Sequence, residues 1–311
     1  MSREVVRVGT RGSALARAQS GMVAASVSQV SGMPTEMIIL KTQGDRMQDI
    51  PFDQIDGKGF FTKELEEALL DERIDLAVHS LKDLPTESPP GLLVAAIPPR
   101  EQANDLLLLR NDLPDGGAGS LLPAGAIVGT SSKRRALQIK ALCGEVEIRE
   151  LRGNVPTRIK KLVEGAYDAV IIAAAGFNRL GLLQSGYRLK VLDFAEMLPA
   201  PGQGALALQV RKEDHGLIRL LAGLHDPLTA SAVETERGVL ELLGGGCGMP
   251  LGIYAQSRED GITVNALLGP DDWQSQNAPA YLRVETFGQS PEEAARRVME
   301  ELELARQSGW R

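Results

Sequence analysis

The feature that most restricts the fold of this chain is a motif written twice. "VGTRGSALA" (Val8 to Ala16) returns as "VGTSSKRRA" (Val128 to Ala136): an apolar run ending in Gly-Thr, a turn bearing serine, then a helix-period segment. "RIDLAVHS" (Arg73 to Ser80) returns as "AYDAVIIA" (Ala166 to Ala173). A strand, a turn, a helix and a second apolar strand make the unit from which parallel α/β sheets are built. Gly9 and Asp75 lie 66 residues apart and Gly129 and Asp168 lie 39 apart, so the first copy carries about 27 more. The polar stretch "QGDRMQDIPFDQIDGKG", residues 43–59, falls within that surplus and reads as a mobile loop over a cleft. Two similar lobes facing each other put both Gly-Thr turns on that cleft.

The rest of the first two hundred residues keeps the same alternation. "EVVRV", "EMIIL", "IDLAV", "LLVAAI", "AIVGT", "VEIREL", "DAVIIA" and "ALALQV" read as strands. "SALARAQSGMVAASVSQV", "TKELEEALLDE", "KRRALQIKAL" and "PTRIKKLVEG" read as helices, the last opening on Pro156 where a first-turn proline fits. After about Asp226 the order becomes helix, three strand-like runs, helix, which predicts a small separate α+β domain.

Several function classes drop out on composition. No stretch approaches the ~20 apolar residues of a membrane helix, and "MSREVVRVGT" reads as a strand and not as a targeting signal. The expected location is the cytoplasm, or an organelle once a transit segment has been removed. The two cysteines, Cys143 and Cys247, make no disulfide framework and no zinc spacing, so no metal is expected. A net charge of −7 argues against nucleic acid as a partner. Yet Thr130 to Lys161 holds nine basic residues against three acidic ones, so an anionic ligand is expected there.

The chemistry-bearing residues cluster at these turns. A strand that ends in a helix start aims backbone N–H groups at an anion. Arg11 adds a planar fork for a carboxylate, although this copy taken alone reads as an ordinary turn with Ser13 as its helix cap. The second copy brings Ser131, Ser132, Arg134 and Arg135, with Arg152 and Arg158 following in "LRGNVPTR". No P-loop and no dinucleotide-binding glycine pattern occurs. "AVHSLKDLPT" follows a strand directly, where α/β clefts hold ligands. There His79 reads as either a functional or a satisfied buried imidazole, and Asp83 as either a catalytic carboxylate or a turn residue before Pro85. Cys143 fits the pattern of a buried small hydrophobe, whereas Cys247 stands among Gly244, Gly245, Gly246 and Gly248, where a thiolate is reachable.

Taken together, "KTQGD", "GKGFFTKELEEALL", "AVHSLKDLP", "GTSSKRRA", "LRGNVPTRIKKL", "AAAGFNRLGL", "PAPGQGALALQVR" and "ETERGVLELLGGGCGMPLG" strongly resemble the porphobilinogen deaminase (hydroxymethylbilane synthase) family. The resemblance runs from Val8 to about Tyr254. It implies an α/β fold of two periplasmic-binding-protein-like lobes around a cleft plus a small C-terminal α+β domain. The expected boundaries are 1–102 with 200–222 for lobe 1, including a lid at 43–59; 103–199 for lobe 2; and 223–311 for the C-terminal domain.

The resemblance also implies the activity: a transferase that joins four porphobilinogen molecules head to tail, losing ammonia each time, and releases the tetrapyrrole hydroxymethylbilane by hydrolysis. Loss of ammonia leaves an electrophilic azafulvene, which the terminal pyrrole attacks. The implied cofactor is a dipyrromethane held as a thioether by Cys247, and the implied catalytic carboxylate is Asp83. Since every ring carries an acetate and a propionate, the implied binding residues are Arg11, Ser13, Lys58, Ser80, Lys82, Thr130, Ser132, Arg134, Arg135, Arg152, Arg158, Arg179 and Gln203. The expected partners are porphobilinogen and the growing polypyrrole chain, with no nucleic acid and no membrane, in a monomer. Two rivals stand beside this reading. A non-catalytic two-lobed carboxylate-binding protein has no use for a cysteine on a glycine loop, and a thiol hydrolase using Cys247 and His79 lacks any local motif.

Overall fold

In the computed structural model, which describes residues 4–40, 62–117, 120–183, 186–245, 248–270 and 281–308, both Gly-Thr motifs lie where a parallel strand gives way to a helix. The chain divides into two compact units, Met1–Glu101 with Gly204–Ala230, and Gln102–Gln203 with Ser231–Arg311.

The first unit holds β1 (Val6–Arg11), α1 (Ala14–Ser31), β2 (Thr35–Leu40), α2 (Lys63–Leu70), β3 (Leu76–Ser80), β4 (Leu92–Ala96), β10 (Leu206–Arg211) and α6 (His215–Leu221). Its sheet runs β2-β1-β3-β10-β4, with β1 parallel to β2 and β3, and β10 antiparallel to both its neighbours. Val6, Val8, Leu76, Val78, Leu206, Leu208 and Val210 pack from the sheet against Val23 and Val27 of α1 and Leu217 and Leu221 of α6.

The second unit repeats that plan. Its first part holds β5 (Asp105–Arg110), β6 (Ile127–Gly129), α3 (Lys133–Cys143), β7 (Glu147–Arg149), α4 (Val155–Val163), β8 (Ala169–Ala173), α5 (Ala174–Arg179) and β9 (Tyr187–Val191). The order β7-β6-β8-β5-β9 carries the same parallel and antiparallel pairings, strand for strand. Two further helices, α7 (Pro227–Leu242) and α8 (Pro291–Gln307), flank the antiparallel meander β11 (Leu251–Arg258), β12 (Gly261–Leu268) and β13 (Leu282–Gly288). Val239 of α7 and Ala294, Val298 and Leu302 of α8 complete that meander's core. Stacking of Phe194 on Tyr254 and contact of Leu137 with Leu267 bind it to the rest of the unit.

The internal repeat extends to single atoms. Asp75 N donates to Arg7 O (2.8 Å) while Arg7 N donates to Asp75 Oδ2 (2.9 Å). In the copy, Asp168 N donates to Ile127 O (2.9 Å) and Ile127 N donates to Asp168 Oδ2 (2.9 Å). Arginines closing the antiparallel strands, Arg211 on β10 and Arg110 on β5, pair with these two carboxylates. The glycines have one cause as well: a Cβ on Gly9 would strike Ile74, and one on Gly129 would lie 2.8 Å from the Tyr167 ring. Ile74 and Tyr167 are the residues immediately before the two aspartates.

Two strands, β5 and β9, and two short helices, α5 and α6, are absent from the sequence expectations. β5, "DLLLLR", is apolar on both faces because it lies between β8 and β9 under helices, so no alternation marks it. The expected loop at residues 43–59 lies outside the described residues.

Behind β3 runs a chain of buried polar groups. His79 Nε2 bonds Gln209 Oε1 (3.0 Å), Gln209 Nε2 donates to Glu66 Oε1 (3.2 Å), and Thr62 Oγ1 donates to Glu66 Oε2 (3.3 Å). Burial pushes the His79 imidazole down to about 4; the Gln209 bond opposes this and the Arg11 charge adds to it.

Two outcomes follow for stability. Tyr167 is pinned by its hydroxyl to Glu150 O (2.6 Å), so Gly129→Ala should cost about 1–3 kcal/mol; an unchanged urea midpoint would contradict the close approach. The His79 value lies below its ordinary 6.5, so the unfolded chain takes up this proton first as the pH falls. Stability from this group is complete above about pH 6.5 and declines by about 3 kcal/mol as the pH falls to about 4. Urea denaturation across that window checks it, and His79→Gln should flatten the decline.

Candidate active site

Parallel strands deliver their carboxyl ends to one edge of a sheet, and both units use that edge. In the first, β1 and β3 pair with Val8 opposite Leu76 and Gly9 opposite Ala77. β1 ends in Arg11, and Ser13 Oγ accepts from Ala16 N (3.2 Å), so this serine caps α1. β3 ends in Ser80, whose hydroxyl is held by Gln19 Nε2 of α1 (3.1 Å). A 3-10 turn, Leu81–Asp83, follows directly. Its two ends are nailed down: Leu81 is buried and donates its N–H to Ala205 O (3.0 Å), and Leu84 is buried too. The turn therefore presents Lys82, half-buried, and Asp83, exposed, beyond the strand. A carboxylate on a turn fixed at both ends is held ready for a cationic or N–H-bearing group without needing to be ordered first.

In the second unit the same edge is formed by β7, β6 and β8. Thr130 is buried, its Oγ1 accepting from Ser132 N (3.2 Å), and Ser132 Oγ caps α3 by accepting from Arg135 N (3.4 Å). Ser131 clamps Leu151 through both of that residue's backbone groups, which places the Arg152 segment beside the turn. Arg152 pairs with the Glu150 carboxylate (2.6 Å), and Arg158 Nε donates to Gly153 O (2.8 Å). Arg179 ends α5, the helix that follows β8.

Arg134 and Arg135 have a different setting from the surface arginines. Both are buried and both grip Asp105: Arg134 Nη1 on Oδ2 at 2.6 Å, Arg135 Nη2 on Oδ1 at 2.7 Å. Gln203 Nε2 also donates to Oδ1 (2.9 Å). Burial raises the Asp105 pKa, but the two guanidinium charges outweigh it and hold the carboxyl below the usual range. Asp105 was missed in the sequence because it opens β5, the strand that periodicity does not mark. A signal existed: one carboxylate leading a run of four leucines has to be paired.

Glu236 of α7 was missed as well. Its buried carboxylate accepts from Gly202 N (2.7 Å) and Ala255 N (2.9 Å), tying the turn that carries Gln203 to β11. Arg11, Ser13, Ser80, Lys82 and Asp83 thus belong to one edge of the first unit. Thr130, Ser132, Arg134, Arg135, Arg152, Arg158, Arg179 and Gln203 belong to the second unit. Lys58 and Cys247 lie outside the described residues. The chain enters the Cys247 loop from the end of α7 through Gly244, at φ +62, and re-emerges at Met249, which packs on the meander core. Among the described residues no group of His, Cys, Asp and Glu forms a metal site, and no helix is long and apolar enough to cross a membrane.

Comparison with known proteins bears on the whole chain. The family model described as "Porphobilinogen deaminase, dipyromethane cofactor binding domain" matches residues 6–219, and "Porphobilinogen deaminase, C-terminal domain" matches 230–303. The porphobilinogen deaminase of Syntrophobacter fumaroxidans is 42% identical over 97% of this chain and 99% of its own length. That of Helicobacter hepaticus is 46% identical over 87% of this chain and 82% of its own. Among solved structures, the periplasmic VFT2 domain of Bordetella pertussis BvgS is similar at 16% identity and a TM-score of 0.41, covering 70% of this chain and 85% of that one. A periplasmic binding protein of Salmonella typhimurium is similar at 13% identity and a TM-score of 0.40, covering 74% and 95%. With both family models matched in order and relatives this similar along nearly its full length, the chain belongs to the porphobilinogen deaminase family.

Proposed function

We propose that this chain condenses four porphobilinogen molecules head to tail on a dipyrromethane primer anchored at Cys247, and releases hydroxymethylbilane by hydrolysis, with Asp83 as the catalytic carboxylate. The observation that carries the reading is the match of the cofactor-binding family model to residues 6–219. The donor chemistry fits such a primer. Two pyrroles bearing acetate and propionate side chains bring several carboxylates, and the described edges offer guanidinium, ammonium and hydroxyl groups in a chain whose net charge is −7. When bound, the primer supplies a free pyrrole carbon as nucleophile.

The chain's own residues do the rest. Asp83 accepts the pyrrole N–H of the incoming unit, offsets the positive charge that develops as its C–N bond breaks, and passes a proton to the departing amine. Left as a carboxylate by that transfer, Asp83 would take up the proton that the attacking pyrrole carbon gives up once the C–C bond has formed. Arg11, Ser13, Lys58, Ser80 and Lys82 with Thr130, Ser132, Arg134, Arg135, Arg152, Arg158, Arg179 and Gln203 hold the acid side chains. A lost arginine contact is worth ~1.5–3 kcal/mol of binding. Two lobes, 1–102 with 200–222 and 103–199, a lid at 43–59 and a cofactor-bearing domain, 223–311, complete the proposal, as do a monomeric state and a cytoplasmic location. A carboxylate-binding protein without catalysis keeps only the fold in its favour.

Intact mass tests the anchor: the purified protein should exceed its sequence mass by one dipyrromethane, and Cys247→Ser should remove both that excess and tetrapyrrole synthesis. A serine variant that still makes tetrapyrrole at the normal rate would overturn the reading. Asp83→Asn should lower kcat by about 10³-fold while leaving the adduct mass unchanged. Being exposed, the same change should move the urea midpoint by no more than about 0.5 kcal/mol.

A further inference from the structure

The two units share a scaffold, which makes each a control for the other. Aligned on their cap residues Ser13 and Ser132, the first turns of α1 and α3 place Leu15 and Ala16 where Arg134 and Arg135 stand. Aligned on their closing arginines, β10 and β5 place Leu206 where Asp105 stands. Leu206 is buried among apolar neighbours. One copy of the fold is therefore satisfied with apolar residues at three positions where the other buries three charges. Burying an ionic cluster in place of well-packed apolar side chains is neutral to unfavourable for stability, so folding alone does not account for it.

The cluster is rigid and unbalanced. Arg134 Nη1 is fixed between Asp105 Oδ2 (2.6 Å) and Leu198 O (2.7 Å); Arg135 is fixed between Asp105 Oδ1 (2.7 Å) and Ile171 O (3.2 Å). Gln138 secures Leu198 by both of its backbone groups. Two guanidinium groups against one carboxylate leave a surplus of one positive charge, and among the described residues no second carboxylate pairs with either arginine. The other buried aspartate held by two arginines, Asp75, differs here: Arg7 is 35% exposed to solvent, and Arg211 also pairs with Asp214. A surplus that is neither solvated nor matched calls for an anion.

We propose that Asp105 is a positioning residue for carboxylate recognition: it locks Arg134, Arg135 and the Gln203 amide into one receptor whose single residual positive charge takes one carboxylate of the dipyrromethane primer. The inference rests on the assignment of Arg134 and Arg135 to the primer's acid groups. By neutralising one of two charges, Asp105 also lets both guanidinium groups stay buried at a fixed separation when no ligand is bound.

Three variants of the full chain, compared with wild type by intact mass, thermal melting and steady-state kinetics, test it. Asp105→Asn should melt cooperatively but carry the covalent primer on only about a tenth of the chains. Asp105→Glu keeps the charge and should restore loading on most chains, with KM for porphobilinogen raised several-fold and kcat little changed. Asp75→Asn should lower the melting temperature and leave loading complete. Full loading with a wild-type KM in Asp105→Asn would overturn the proposal. So would loading that falls in Asp105→Asn and Asp75→Asn in step with their melting temperatures. If Asp105→Asn does not fold, Asp105→Glu decides alone, and an unchanged KM overturns. If the wild type carries no adduct, the primer reading falls and this inference with it; if wild type and Asp105→Asn are equally loaded, only the inference falls.

Discussion

A carboxylate at the start of the third strand fastens each five-stranded sheet. Asp75 and Asp168 each accept the backbone N–H of the neighbouring parallel strand, β1 or β6, and donate their own N–H back to it, closing a small ring at the strands' amino ends. Parallel pairing is set early in the strand, so everything downstream follows in register: the Gly-Thr turns, the serine caps and the carboxyl-end edge. The arginine that closes the antiparallel strand bonds to the same carboxylate and fixes the fourth strand too. Because the ring sits at the amino ends of the parallel strands, the carboxyl-end edge is left to vary. In one unit it carries Asp83 on a turn, in the other a set of buried and half-buried arginines.

Much of this was legible in the sequence because the repeat was. "VGTRGSALA" and "VGTSSKRRA" have one period and one turn chemistry, and both turned out to be strand, serine cap and helix. The last strand of the α+β tail was equally readable, since β13 is buried at every second residue. What was missed shares a physical cause. β5 has no polar face to betray it, α5 and α6 have fewer than two full turns each, and the partners of Asp105 and Glu236 lie far away in the chain. Ser13 shows the converse: its sequence context admitted two uses, and in the structure its hydroxyl serves as a helix cap, as does that of Ser132. A cap accepts through its oxygen, so the hydroxyl proton stays available to a carboxylate, and the two uses are compatible.

The contrast between the acidic surface and the basic turns also has a structural basis. Arg149 and Arg152 pair with Glu147 and Glu150 two residues away in the chain, so much of the basic run that stood out in the sequence is locally balanced. The unbalanced charge is concentrated at Arg134 and Arg135, which solvent does not reach. Counting charges along the chain thus overstated how much of that segment's charge is unpaired. The relevant quantity is charge left over after burial and pairing, because a screened surface arginine contributes little to binding while a buried one with a single shared partner contributes much.

The two copies of one scaffold illustrate how a duplicated fold acquires a division of labour. Asp83, the proton-transfer group of the proposed mechanism, stands exposed on a turn anchored by Leu81 and Leu84. Groups that only hold charge work best where water does not reach them, and Arg134 and Arg135 are buried against Asp105, Leu198 and Ile171. Neither arrangement disturbs the strand pairing beneath it, since each begins after the last ladder residue of its strand or on the first turn of the following helix. In the proposed reading the growing chain stays joined to its primer, so the protein must hold that primer while each new unit reacts at the free end. In that reading a solvated turn for the chemistry and a dry cluster for the primer's charge stand on scaffolds that fold alike.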